Sequence, residues 1–162
     1  MNSENTFTLT GRQALGIQEA LKEIDWVPGF ITSDGKEAKK AFTFSGSVRL
    51  RIIQNLTVLE ALKKSLDDTR LAIVKAVSND SKVDLTPDQN REFAQQMNAA
   101  LDVQQQVELY PIPLYAKYNG NDEDVICLTK CPLPTDMTSK LVGTVLRIKS
   151  NDRVDLQPGG IK

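Results

Sequence analysis

The residues able to do chemistry in this chain are few, and their spacing builds no catalytic constellation. Carboxylates cluster twice, at Asp67-Asp68 and at Asp122-Glu123-Asp124. Paired carboxylates bind Mg²⁺ or do acid–base work. Asp67 and Asp68, however, follow Lys63 and Lys64 at the helical ion-pair spacing. The second cluster adjoins the turn-forming Asn119-Gly120 and lacks the spacing of an EF-hand loop. Ser45-Gly46-Ser47 opens a helical stretch, and helix N-termini attract anions. No phosphate-loop or dinucleotide fingerprint accompanies it, so capping explains the serines more simply. The sequence holds no histidine, which removes the commonest general base and excludes Ser-His-Asp and Cys-His catalysis within the chain. Its two cysteines, Cys127 and Cys131, are too few for a four-thiolate zinc site. On a strand they would lie about 13 Å apart, beyond disulfide reach. Two reduced, half-buried thiols are expected, with no metal and no cofactor.

Two surface sets remain. Residues 36–64 carry Lys36, Lys39, Lys40, Arg49, Arg51, Lys63 and Lys64 against Glu37 and Glu60, a net of +5. Such a face contacts phosphates if it stays unpaired. Residues 84–108 carry a net of −4 and would neutralise it, which makes nucleic acid an unfavoured partner. The candidate protein interface is the Pro-bearing strap with Leu109, Tyr110, Ile112, Leu114 and Tyr115, joined by Gln95, Gln104 and Gln105 from a glutamine-rich helix. The strap either docks on another subunit or packs on the chain's own helices.

The elements that must position these residues follow from periodicity. Ile52, Leu56, Leu59, Leu62, Leu66, Ile73 and Val77 recur at helical steps, and no proline or glycine interrupts residues 47–78. The spacing predicts a helix over 46–78, about 48 Å long at about 1.5 Å per residue. Thr10 and Gln13 form a capping box before Ala14, Ile17, Leu21 and Ile24, predicting a helix over 11–24. Trp26-Val27-Pro28-Gly29 ends it. Residues 29–43 read as a connector, with a short strand around Phe42 and Phe44. Thr86-Pro87-Asp88-Gln89 is a second capping box and predicts a helix over 87–104, antiparallel to the long one. Residues 6–9 alternate like a strand, 125–129 form another, and 107–118 read as extended, edge-like chain. Residues 139–148 fit either period, and their Val, Thr and Ile content with Gly143 favours a strand. The tail around Gln157-Pro158-Gly159-Gly160 is expected to be flexible. The fold class is α+β: a lead helix and a long helical hairpin over residues 1–106, then a small β region over 107–162.

With 162 residues, 40% of them apolar, the chain suffices for one domain with a sizeable core. Its net charge of −1 gives no global pull toward nucleic acid or anionic membranes. The polar N-terminus lacks the signature of a signal peptide, and no run approaches a membrane span. A soluble protein without a membrane partner is expected.

The order of parts resembles a family of small tailed-bacteriophage proteins of unknown function, encoded among late, virion-related genes. The likeness covers about residues 9–115. It rests on Phe44-Ser45-Gly46-Ser47-Val48-Arg49-Leu50-Arg51-Ile52, then Asn55-Leu56 and Leu59-Glu60 through Arg70. Leu101-Asp102-Val103, Gln106-Val107-Glu108-Leu109 and Ile112-Pro113-Leu114 continue it. The residues beyond 115 depart from that pattern, and the family supplies no catalytic residues. The resemblance implies a non-enzymatic virion structural or assembly protein, in the particle or the infected cytoplasm. Its partners would be its own copies or other virion proteins. The alternative is a soluble accessory protein that binds and inhibits a host protein.

Overall fold

The computed structural model describes residues 4–24, 26–27, 33–36, 40–41, 44–78, 84–116, 124–129 and 131–149. The chain is a mixed helix and strand protein, as its sequence pattern requires. Strand β1 (Thr6–Thr10) runs directly into helix α1 (Gly11–Glu23). Thr10 is the hinge between them, because its side chain accepts from the Gln13 N–H while Gln13 reaches back to the Thr10 N–H. This satisfies two backbone donors that a helix start would otherwise leave open. Short strands β2 (Trp26–Val27) and β3 (Lys40–Ala41) pair antiparallel before the long helix α2 (Gly46–Ser78). Ser45 caps α2 by accepting from the Val48 N–H at 3.2 Å. The long helix has the predicted bounds, and Ile52, Leu59, Leu66 and Val77 are buried on its predicted face.

Helix α3 (Pro87–Leu101) starts at the second capping box, on Thr86 and Gln89. The Gln89 carboxamide also donates to the Val77 carbonyl at the end of α2, at 3.2 Å. Fifteen residues of helix later, the Leu101 carbonyl lies beside Gly11, which also faces the Leu66 side chain. The hairpin is therefore antiparallel. A methyl group at Gly11 would meet both neighbours at 3.2–3.3 Å, so glycine permits the close approach of α1 to this pair.

The predicted helix over 87–104 is three residues too long. Asp102 caps α3, and Gln104–Glu108 forms β4 instead, antiparallel to β1 in the register Thr8↔Gln106. Glutamine favours helix, but the strand partner offered by β1 overrides a weak local preference. A boundary at residue 106 falls inside β4.

The last sheet is parallel, with strand order β6 (Ile126–Cys127), β5 (Ile112–Tyr115), β7 (Leu146–Ile148). The strap expected at an edge is its centre, which is unusual for a strand containing proline. The register explains the tolerance. Pairing with β6 begins only at Leu114↔Ile126, beyond Pro113, while the Ile112 N–H donates to the Val145 carbonyl at 2.7 Å.

Residues 139–148 are not one strand. Helix α4 (Thr135–Leu141) takes the first part, and β7 the last. Gly143, at φ 87°, makes the left-handed turn between them, ending the helix rather than weakening a strand. Phe44 is buried just ahead of α2, outside any strand; residues 42–43, the 119–122 turn and the C-terminal tail lie outside the described residues.

One apolar cluster joins α1, α2, β4, β5, β6, α4 and β7. Leu109, Ile112 and Leu114 lie in it with no exposed surface. Leu114→Ala should therefore lower unfolding free energy by about 2–5 kcal/mol in urea denaturation. A loss under about 0.5 kcal/mol, the range of surface substitutions, would show that this strand is not core.

Candidate docking face

Helix α2 positions most of what the surface offers. On its inner side, apolar residues follow a three–four spacing through Val48, Ile52, Leu59 and Leu66. Asn55 occupies the same inner face and is fully buried. Its carboxamide donates to the Tyr110 carbonyl at 2.9 Å and accepts from the Tyr110 N–H at 2.7 Å. One turn earlier, the Arg51 guanidinium donates to the Pro111 carbonyl at 2.9 Å. Two side chains of one helix thus satisfy three backbone groups of the connector between β4 and β5.

These contacts correct the predicted interface. Leu109, Ile112 and Leu114 are core residues held against the chain's own helix, and Tyr115 is half-buried. Tyr110 alone of the strap keeps substantial exposure. Gln95 lies exposed on α3, whereas Gln104 and Gln105 are exposed on β4 rather than on a helix. The structure does not bring these three glutamines and the strap into one apolar face.

The predicted basic face is likewise dispersed. Lys36 lies 4.0 Å from Asp34, Arg49 stacks 5.9 Å from the Phe44 ring centre, and Arg51 holds Pro111. Lys63 bonds Asp67 at 3.0 Å, and that hydrogen bond with the carboxylate's charge raises its pKa above the ordinary lysine value. Lys64 faces outward on α2; Lys39 and the Lys40 side chain lie outside the described residues. The expected neutralisation by α3 is not the pattern found. Among the described residues, Asp102 at the cap of α3 pairs with Arg12, Asp88 with Arg91, and Glu92 accepts from Gln96.

Other candidates resolve locally. Asp124 is half-buried, while Asp122 and Glu123 lie outside the described residues. Cys127 and Cys131 are reduced and both buried, deeper than the half-burial expected. The Cys131 N–H donates to the Cys127 carbonyl at 2.9 Å, closing a turn after β6. Among the described residues, no group of three or more Cys, Asp or Glu could hold a metal ion. No helix among the described residues is long and apolar enough to cross a membrane.

What the sequence reading did not single out is the outer side of α2. Leu50 and Ile53 are 56% and 60% exposed, and Leu71 is 54% exposed. With Thr57 and Ala61 they follow helical spacing opposite the core stripe. Ile53, Leu56, Thr57 and Ala61 floor an open groove of about 600 Å³ along α1 and α2. Lys22, Glu60, Lys64 and Asp67 rim it. Glu60 is fixed by Gln18, whose carboxamide donates to it, and by Lys22 at 3.6 Å. No protein-family model, curated protein or solved structure matches this chain.

Removing the Asn55 carboxamide strands two backbone groups of a buried connector. Asn55→Ala should lower stability by about 3 kcal/mol, at about 1–3 kcal/mol per unsatisfied group. Chemical denaturation reads this directly, and a loss below about 1 kcal/mol would mean that water replaces the amide.

Proposed function

We propose that this chain is a non-enzymatic bacteriophage structural or assembly protein that works by self-association through the outer face of α2. The phage assignment rests on the resemblance over residues 9–115. The observation that carries the association is the exposed apolar pair Leu50 and Ile53, one turn apart near the start of α2, with Leu71 about 27 Å further along the same side, on a helix whose other side is buried in the core. Large apolar side chains grouped on a rigid element mark interaction surfaces.

The groove's rim favours a second copy as occupant. It carries two cations, Lys22 and Lys64, and two carboxylates, Glu60 and Asp67. A twofold pairing sets a surface against itself, so a single-sign rim would repel, whereas a mixed rim places cation against carboxylate. The strap takes no part, because Leu109, Ile112 and Leu114 are buried in the chain's own core. The same outer face would serve for docking on other virion proteins.

Light scattering coupled to size exclusion tests the proposal across a wide concentration range. The wild-type chain should pass from monomer to a defined oligomer. Ile53→Asp, at an exposed position that leaves the fold intact, should weaken association about 30-fold, the effect of losing about 2 kcal/mol at an interface centre. A wild-type monomer at every concentration, or an Ile53→Asp oligomer equal to wild type, would remove the self-association reading.

A further inference from the structure

A second concavity, of about 290 Å³, is lined by Asn5, Arg51, Tyr110, Pro111, Pro113, Arg147 and Lys149. We propose that it is an oxyanion site, shaped for a phosphate group carried by a small molecule or for inorganic phosphate itself.

The argument begins with charge. Three cationic side chains converge here from two distant segments, Arg51 on α2 and Arg147 with Lys149 on and just beyond β7. Alternation along the strand puts residues 147 and 149 on one face of the sheet. No carboxylate lies within ion-pair distance of any of the three among the described residues, in contrast to Arg12, Lys22, Lys63 and Arg91. A protein with near-zero net charge thus concentrates unneutralised positive charge in one small hollow.

The second step is preorganisation. The Arg51 guanidinium is fixed by its bond to the Pro111 carbonyl at 2.9 Å. The Arg147 guanidinium is fixed by the Glu4 carbonyl and lies 5.9 Å from the Phe7 ring centre. Each bond uses one donor of a group that has five, so the remaining donors serve a ligand without further ordering of the side chain. Pro111 and Pro113 stiffen the wall between the two arginines. The Lys149 backbone is anchored to the Leu114 carbonyl at 3.1 Å, leaving its ammonium as the adjustable third contact. Two planar forks and a point charge suit a multi-oxygen anion. The volume lies at the small end of ligand pockets, which fits one phosphate group rather than an extended chain.

The test titrates the full-length protein with inorganic phosphate and, separately, a nucleoside monophosphate, following backbone amide resonances at constant ionic strength maintained with chloride. Saturable shifts should appear at Asn5, Tyr110, Arg147 and Lys149. Tighter binding of the monophosphate would assign the phosphate to an organic carrier, and equal binding would assign the site to the inorganic anion. Lys149→Gln, whose side chain makes no contact the fold needs, should weaken either ligand about tenfold with unchanged spectra elsewhere. The absence of saturable shifts with either ligand, shifts that chloride reproduces, or affinity unchanged in Lys149→Gln would overturn the proposal.

Discussion

The rest of the structure depends on a single buried carboxamide. Between β4 and β5 the chain leaves one sheet and enters another, and the intervening Tyr110 is in neither ladder. Backbone groups there would be buried without partners, at about 1–3 kcal/mol each. Asn55 supplies from the side of a helix what a neighbouring strand would have supplied, one donor and one acceptor. It also fixes which side chains point inward. With Tyr110 held against α2, Leu109 and Ile112 on either side of Tyr110 and Pro111 fall into the core with no exposed surface. A leucine at position 55 would suit the apolar stripe, but it would leave Tyr110 unsatisfied.

That clamp makes two closures compatible. The N-terminal β1 pairs with β4 from Thr6↔Glu108 to Thr10↔Gln104, so the chain's first and middle parts are joined across the hairpin. Four residues beyond β4, β5 must be central in a parallel sheet whose other strands come from the C-terminal third. Parallel neighbours require crossover connections, and α4 provides one by leading into β7 while packing on α1. The helical part and the β part therefore share a core, and α2 is the element against which both are registered.

The parts legible in the sequence were those governed by local rules. Thr10 with Gln13 and Thr86 with Gln89 announce two helix starts, because a capping box is satisfied within four residues. The bounds of α2 follow from an apolar period without a breaker. What escaped was decided at long range. Gln104–Glu108 is a strand only because β1 is there to pair with it, and Pro113 is tolerated centrally only because β6 pairs one residue later. Over 139–148 the apolar residues fit both periods, and the positive φ of Gly143 separates a helix from a strand where one element was read. Asn55 left one legible signal, a polar residue at the three–four spacing between Ile52 and Leu59, though nothing local names Tyr110 as its partner. Arg147 and Lys149 lie about a hundred residues from Arg51 in the sequence, so no spacing rule joins them into one hollow.

The same helix explains why the surface sites need not compromise the fold. Asn55 and the apolar stripe face inward, whereas Leu50, Ile53 and Ala61 lie on the opposite side and share no contact with Tyr110's backbone clamp. Arg51 stands between the two regimes. One of its donors steadies the connector at Pro111, and the rest of its guanidinium faces the basic hollow. Replacing it would disturb stability and anion affinity together, because both draw on one side chain. Lys149 and Ile53 each belong to only one surface, so changes there would separate the proposed anion binding from the proposed association. A 33-residue beam with a committed inner side is what makes that separation possible: its rigidity comes from the core, leaving the outer side open to variation in partner without loss of fold.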